Sequence, residues 1–353
     1  MSKQKIITVE SVMQGHPDKV CDQISDAILD AYLMQDPKAR VAIECLGTYG
    51  LLVIAGEVSS NAQVDYKKIA RETYRNIGYT DKVKIIERVS QQSPEISSGV
   101  DVGGAGDQGI MYGYATSETT SMLPKPVEQV QRMMKMLTDL SQSSKKYFGL
   151  GPDGKGQLTY RDGRLQTILI SVQHEVGWSL CELFQLIKQD FLPRVFDDLS
   201  GVEVLINPTG KFTVGGFTAD TGLTGRKIMV DTYCGLVPHG GGAFSGKDAS
   251  KVDRSGAYYA RYVAKNIVAQ GLAKKALVSV AYAIGKADPL MVDVQTCGTG
   301  NVSNALEFVK KNFDFRPQNM IEELELHRPI FQKTASFGHF GYPDYSWERI
   351  KLL

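Results

Sequence analysis

The chain has 353 residues, 42% hydrophobic and 22% charged, an ordinary globular composition that at roughly 150 residues per domain corresponds to two or three domains. Its 40 Lys and Arg are balanced by 39 Asp and Glu, which excludes a protein that binds by coating nucleic acid with positive charge. Apolar runs such as Leu51 to Ala55 are strand-sized, well short of the roughly 18 residues a membrane span needs.

The predicted elements begin with a strand over Ile6 to Val9. A helix opens at Pro17, a good first helical residue, with Val20, Ile24, Ile28 and Ala31 on one apolar face. Arg40 to Tyr49 and Leu51 to Val58 read as a hairpin about Gly50, followed by a helix over Val64 to Ile77 capped by Asn61. Further strands are predicted at Leu165 to Gln173, Val202 to Ile206, Lys227 to Tyr233, Leu277 to Ile284 and Leu290 to Thr296. Further helices are predicted at Lys125 to Ser141, Ser179 to Asp197, Ala257 to Gln270, Asn301 to Asn312 and Pro317 to Glu325. The 35 glycines cluster in four stretches, which long helical bundles do not tolerate. The fold class is therefore α+β, with sheets covered on one face by helices and functional loops between. Boundaries near Ser97 to Gly106 and near Thr209 to Gly216 divide the chain into 1–100, 101–213 and 214–353.

The N-terminus has no apolar core of signal-peptide length, so a cytoplasmic protein is expected, with no membrane partner. Cys21, Cys45, Cys181, Cys234 and Cys297 form no CxxC pair and are expected to be small buried hydrophobes.

Several strings carry chemistry. Gly15-His16-Pro17-Asp18-Lys19 sits at a strand-to-helix turn, where free backbone N–H groups and the helix dipole favour an anion such as phosphate. His16 could donate a hydrogen bond to it, and Asp18 offers a hard oxygen to a divalent cation. Glu44 and Glu57 lie among apolar residues on the two hairpin strands. They either face an interior that must supply cations or point to solvent from an open sheet face. Gly104 to Gly109 fits G-x-G-x-x-G, but no strand precedes it and no helix follows, so it is not a dinucleotide fingerprint. It is a tight loop that could present Asp107.

The strongest local signal is His239-Gly240-Gly241-Gly242-Ala243-Phe244-Ser245-Gly246-Lys247-Asp248. Gly241 to Lys247 satisfies G-x-x-x-x-G-K, but Asp248 stands where a P-loop needs Ser or Thr. This is phosphate-loop chemistry without Walker architecture. Asp220 to Lys227, Asn207 to Phe212 and Pro152 to Lys155 add glycine-flanked cations. Four such sites in a nearly neutral chain suggest a polyphosphate cage. His174, His327 and His339 have no evident ligand partners and read as structural.

Together the 15–19, 104–109 and 239–248 strings resemble the S-adenosylmethionine synthetase (methionine adenosyltransferase) family. The match extends to Asp26, Gln35-Asp36-Pro37, Asn207 to Gly210, Gly222 to Lys227, Lys251 to Ser255, Tyr262 to Asn266 and Gly338 to Gly341, nearly the whole chain in order. The resemblance implies three similar domains in pseudo-threefold arrangement, each a mostly antiparallel sheet covered by helices. It implies the reaction of ATP, L-methionine and water to S-adenosylmethionine, phosphate and diphosphate. The methionine sulfur attacks the ribose C5′ in line, and the departing tripolyphosphate is then hydrolysed.

By matched position, the resemblance makes His16, Lys155, Arg226 and Lys247 catalytic. It puts Asp153, Lys211, Phe212, Asp220, Lys227 and Ala243 beside ATP with them, and Glu57, Gln92, Asp107, Asp220 and Lys251 beside methionine. Asp18 and Asp253 would hold magnesium (Mg2+, two per site) and Glu44 potassium (K+, one per site). Active sites would lie between the subunits of a homodimer, itself half of a dimer of dimers. The sequence departs from the family pattern in short segments at Ile77 to Val89 and Ser97 to Gly104, the latter normally a gate. Lys211 replaces an Arg, Gly154 an Ala, and Phe217-Thr218-Ala219 a Pro-x-Gly.

Overall fold

The computed structural model describes residues 5–91 and 104–352. Strands rich in β-branched and other apolar residues build three sheets among them. In the first, β1 (Ile6–Val12) pairs antiparallel with β6 (Leu150–Arg161), β6 with β7 (Arg164–His174), and β8 (Glu203–Ile206) adds parallel to β7. In the second, β2 (Arg40–Thr48) and β3 (Leu51–Ser59) form the expected hairpin about Gly50, whose φ of +66° suits glycine. There β4 (Lys84–Ser90) lies parallel to β3, and β9 (Gly222–Leu223) closes the other edge on β2. In the third, β10 (Lys275–Tyr282) pairs antiparallel with both β5 (Gly109–Thr116) and β11 (Met291–Gln295). Each sheet is mostly antiparallel and backed by helices, an α+β fold in three units.

Strand exchange ties the units together. β1 leaves the N-terminal block to pair with β6, and β5 leaves the central block to pair with β10. Helix α1 (Pro17–Gln35) packs on β2, the helix Lys125–Ser143 on β1 and β6, and the helix Val252–Ala269 on β5 and β10. The opposite face of the second sheet is left open. Glu44, Leu46 and Glu57 are exposed there on the second sheet, which settles the hairpin acids as outward-facing.

Helix α1 is buried on nearly every side. Its Val20–Ile24–Ile28 stripe meets the sheet, while its other face is covered by loops from the C-terminal third. One layer further out, Trp347 stacks on Tyr258 at 3.9 Å, in an aromatic cluster with Phe244, Phe340 and His339.

Some expectations are corrected. Lys227 to Tyr233 is not a strand: Ile228–Asp231 is a short helix, because Gly225 turns the chain at φ +80° and Lys19 captures the Asp231 carboxylate. A three-residue apolar run is too short to tell strand from helix. The cap of helix α2 (Tyr66–Ile77) is Asp65, whose carboxylate accepts from Lys68 N at 2.9 Å, not Asn61. Pro152 to Lys155 is not a turn but the start of β6. Its Gly154 and Gly156 are there for close packing: a Cβ would lie 2.7 Å from Met13 Sδ and 2.3 Å from Met134 Sδ. Strands β4, β5, β6 and β9 lie outside the predicted strands. The predicted helix Ser179 to Asp197 runs unbroken over residues 180–195, but it widens over Leu186–Phe191 just before Pro193, which lacks a donor. Cys181 and Cys297 are exposed, unlike buried Cys21, Cys45 and Cys234, and all five are free. Among the described residues no helix is long and apolar enough to cross a membrane.

Candidate active site

Three strings distant in sequence meet at the N-terminus of α1. Gly15 packs so closely on β6 that a Cβ would lie 2.5 Å from Pro152 O, and its N–H donates to that carbonyl at 3.0 Å. Gly222 of β9 likewise leaves no room for a Cβ beside Pro17 O, at 2.2 Å. Glycines at 15 and 222 thus bring the 152–155 and 222–227 segments onto the His16 turn. Lys155 lies opposite Val12 in the β1–β6 register and pairs with Glu10 at 3.6 Å.

Asp18 is the hub of this first group. One carboxylate oxygen accepts from Leu223 N at 2.9 Å, the other from Lys227 Nζ at 2.5 Å. The Asp18 N–H donates to His16 Nδ1 at 3.2 Å, so the neutral ring carries its proton on Nε2. Burial, then the charge of Lys227, push the His16 pKa down to about 3, with Lys155 adding to the effect. Asp153 is buried and accepts from Gly216 N at 2.8 Å; burial raises its pKa to about 6. Arg226 and Asp220 are exposed on the same loop, with Asp220 accepting from Thr221 N.

A second group forms on the 239–248 loop, which docks along β2. Ile43 N donates to Gly246 O at 3.0 Å, and Lys247 bridges Ala42. Ala42 stands opposite Glu57 in the hairpin, so Lys247 lies beside the Glu57 rung. Lys247 Nζ reaches Asp253 at 2.6 Å, and Lys251 pairs with Asp248. Asp248 also accepts from Val41 N at 2.7 Å and Ser250 N at 2.9 Å. It staples the loop to β2. The Asp107 loop ends next to Asp253: a Cβ at Gly109 would lie 3.8 Å from Asp253 Oδ1. Ala243 joins the two groups by packing on Gly225, whose Cβ would lie 2.5 Å away.

Not every predicted residue joins these groups. Lys211 is exposed and makes no hydrogen bond or ion pair among the described residues; Phe212 bonds to His174 through its backbone. Gln92 and residues 97–103 of the gate lie outside the described residues. Of the histidines read as structural, His174 and His339 are buried and His327 is exposed; Tyr258 Oη and His339 Nδ1 lie 2.7 Å apart.

Sequence reasoning missed the buried ions behind the site. Lys19 is held between Asp22 at 2.9 Å and Asp231 at 2.5 Å. Arg254 forks onto Asp26 at 2.7 and 2.8 Å. The recurrence of Asp at every fourth position from 18 to 30 was the available signal.

Three family models match in order: S-adenosylmethionine synthetase, N-terminal domain, over residues 4–94; central domain, over 102–212; and C-terminal domain, over 214–349. The S-adenosylmethionine synthase of Sorangium cellulosum is 48% identical over 368 residues, covering 97% of this chain and 87% of its own. That of Thermus thermophilus is 46% identical over 391 residues, covering 100% and 98%. That of Mesoplasma florum is 47% identical over 369 residues, covering 98% of each. The Thermus alignment is longer than this chain's 353 residues, so that relative carries segments absent here.

Proposed function

Because the chain belongs to the S-adenosylmethionine synthetase family, we infer that it is a methionine adenosyltransferase, forming S-adenosylmethionine, phosphate and diphosphate from ATP, L-methionine and water. The observation that carries the reading to particular residues is the convergence of neutral His16 with Lys155 and Lys227 at a helix N-terminus. That arrangement suits a polyanion, through dipole, N–H donors and fixed cations.

A thioether sulfur is a neutral nucleophile and needs no base. The chain has to align it with the ribose C5′ and hold the departing triphosphate. His16 offers its Nε2–H to the leaving oxygen without adding a charge that would have to be lost on release. Lys155, Arg226, Lys227 and Lys247 grip the phosphates, with Asp153, Phe212, Asp220 and Ala243 beside the nucleotide and Lys211 at its margin. Glu57, Asp107, Asp220 and Lys251 receive methionine, joined by Gln92.

The acids fit magnesium. Among the described residues no three or more His, Cys, Asp or Glu cluster as a cage, while Asp18 and Asp253 each offer a carboxylate beside a lysine. This is the donor set of an ion shared between one or two carboxylates and substrate phosphates. Asp18 and Asp253 would hold the magnesium ions, two per site, which when bound neutralise charge developing on the triphosphate. Lys227 and Lys247, which pair with those acids, would then turn to the phosphate oxygens. Glu44, on the open face of β2, would serve potassium.

We further propose that the sites are shared in a homodimer. Its support is the open face of the second sheet, where Leu46 and Ile86 are exposed beside Glu44 and Glu57. The chain blocks 1–100, 101–213 and 214–353 remain our domain division. The test mixes two inactive variants, Lys155→Ala and Lys247→Ala. If each site takes Lys155 from one subunit and Lys247 from the other, one site of every mixed dimer carries neither substitution, and activity returns. Mixed dimers without activity would place both lysines of a site in one subunit.

A further inference from the structure

Four aspartates, Asp18, Asp22, Asp26 and Asp30, repeat along α1 at one per turn and so share a face. Each accepts backbone N–H groups from a loop of the C-terminal third. Asp18 takes Leu223 N, Asp22 takes Gly225 N at 2.8 Å, Asp26 takes Gly246 N at 2.8 Å, and Asp30 takes Phe331 N at 3.0 Å and Gln332 N at 2.9 Å. Asp22 and Asp26 have no solvent exposure at all. Each therefore needs a cation, and has one: Lys19 for Asp22, Arg254 for Asp26. Arg254 also donates to Phe244 O at 3.0 Å and Lys247 O at 3.1 Å, so the pair grips that loop at three points.

The loops held by the middle two rungs carry the phosphate cations. Gly225 immediately precedes Arg226 and Lys227, and Gly246 immediately precedes Lys247. Both glycines have positive φ, +80° in each case, a backbone state with no register of its own to enforce. An external anchor has to fix it. Phe331 and Gln332, held by the fourth rung, belong to no phosphate loop.

We propose that Asp22 and Asp26 are positioning residues for phosphate handling: through Gly225 N–H and Gly246 N–H they set both cationic loops on one rigid helix. This rests on the function proposed above, which makes these loops the grip on the triphosphate. The role goes beyond stability, because a loop displaced by a fraction of an ångström would leave the fold intact and the cations misaimed.

The test compares Asp22→Asn, Asp26→Asn and Asp30→Asn in the full chain. Binding of inorganic tripolyphosphate with magnesium is measured by calorimetry, alongside thermal midpoint and the KM values for ATP and methionine. The first two variants are expected to lose about 10- to 100-fold in tripolyphosphate affinity and to raise the ATP KM. The methionine KM should hold within about threefold, an effect a uniformly loosened fold would not spare. Asp30→Asn, whose rung holds no phosphate loop, should bind tripolyphosphate like the wild type. Should an Asn variant not fold, Asp22→Glu or Asp26→Glu is read in its place, since each keeps the cation partner but displaces the acceptor. Wild-type tripolyphosphate affinity in the folded Asp22 and Asp26 variants would overturn the proposal. A wild-type protein that makes no S-adenosylmethionine would instead defeat the function reading, and the affinity comparison would still decide the loop-setting role.

Discussion

Asp18 and Lys227, 209 residues apart in sequence, meet at 2.5 Å at the mouth of α1. The pair is mostly buried, with 7% of the Asp18 side chain and 16% of the Lys227 side chain accessible. On the proposed function each would change partner, the carboxylate to a metal and the ammonium to a phosphate.

Substituting Asp18 by Asn therefore affects two partners at once. Asp18→Asn should raise the magnesium concentration for half-maximal activity by about 10- to 100-fold, and excess magnesium should restore part of the rate. Lys227→Met should instead raise the ATP KM while leaving the magnesium requirement near wild type. Identical magnesium titrations for Asp18→Asn and wild type would remove Asp18 from metal binding.

On the proposed function, Lys155 and Lys247 grip the phosphates from different strings. Lys155→Ala and Lys247→Ala should each cost about 2.7 to 4 kcal/mol of transition-state stabilisation, a fall of roughly 10²- to 10³-fold in kcat. Steady-state kinetics at saturating ATP read this directly. Full activity in both variants would disprove the polyphosphate cage.

Glu348 is buried against Arg261 at 2.9 Å and Lys265 at 2.8 Å, closing the C-terminal segment over the helix Val252–Ala269. Glu348→Ala leaves two cations without their carboxylate. A loss of about 3 to 5 kcal/mol is expected from denaturant unfolding. A loss under about 1 kcal/mol would show that water or a neighbouring carbonyl replaces the carboxylate.

Asp30 gives a pH dependence with a definite sign. Burial raises its pKa from the ordinary 3.8 to about 6, despite the two N–H donors. Between those values the folded protein binds more protons than the unfolded chain, so stability from this group is present below pH 4 and lost as pH rises through 6. The shift corresponds to roughly 3 kcal/mol. Asp30→Asn removes the titration, so the stability of this variant relative to wild type should improve by up to that amount between pH 4 and pH 7. A pH-independent difference would mean that Asp30 titrates normally.

The hairpin about Gly50 and the start of α1 at Pro17 were legible because local rules fix them: two strand-length apolar-rich runs, a turn glycine between them, and a proline in the first helical turn. The 150–161 strand was not, because its glycines answer to Met13 and Met134 rather than to their neighbours. Nor was the helix at Ile228–Asp231, whose end is held by Lys19 from across the chain. The site shows the same division. Glycine strings and their lysines carry the proposed phosphate chemistry, but they did not disclose that Asp248 spends its carboxylate on Val41 N–H. An aspartate stripe on a helix ordinarily faces solvent. Only the fold reveals that α1 is walled in on that side, so that its acids organise loops from the far end of the chain.

The central claim is tested most directly by the products. Purified protein is incubated with ATP, L-methionine, magnesium and potassium, and the mixture is separated. The account predicts S-adenosylmethionine together with phosphate and diphosphate in equal amounts. ADP without S-adenosylmethionine would contradict it, and would make the 239–248 loop the phosphate cradle of a phosphotransferase.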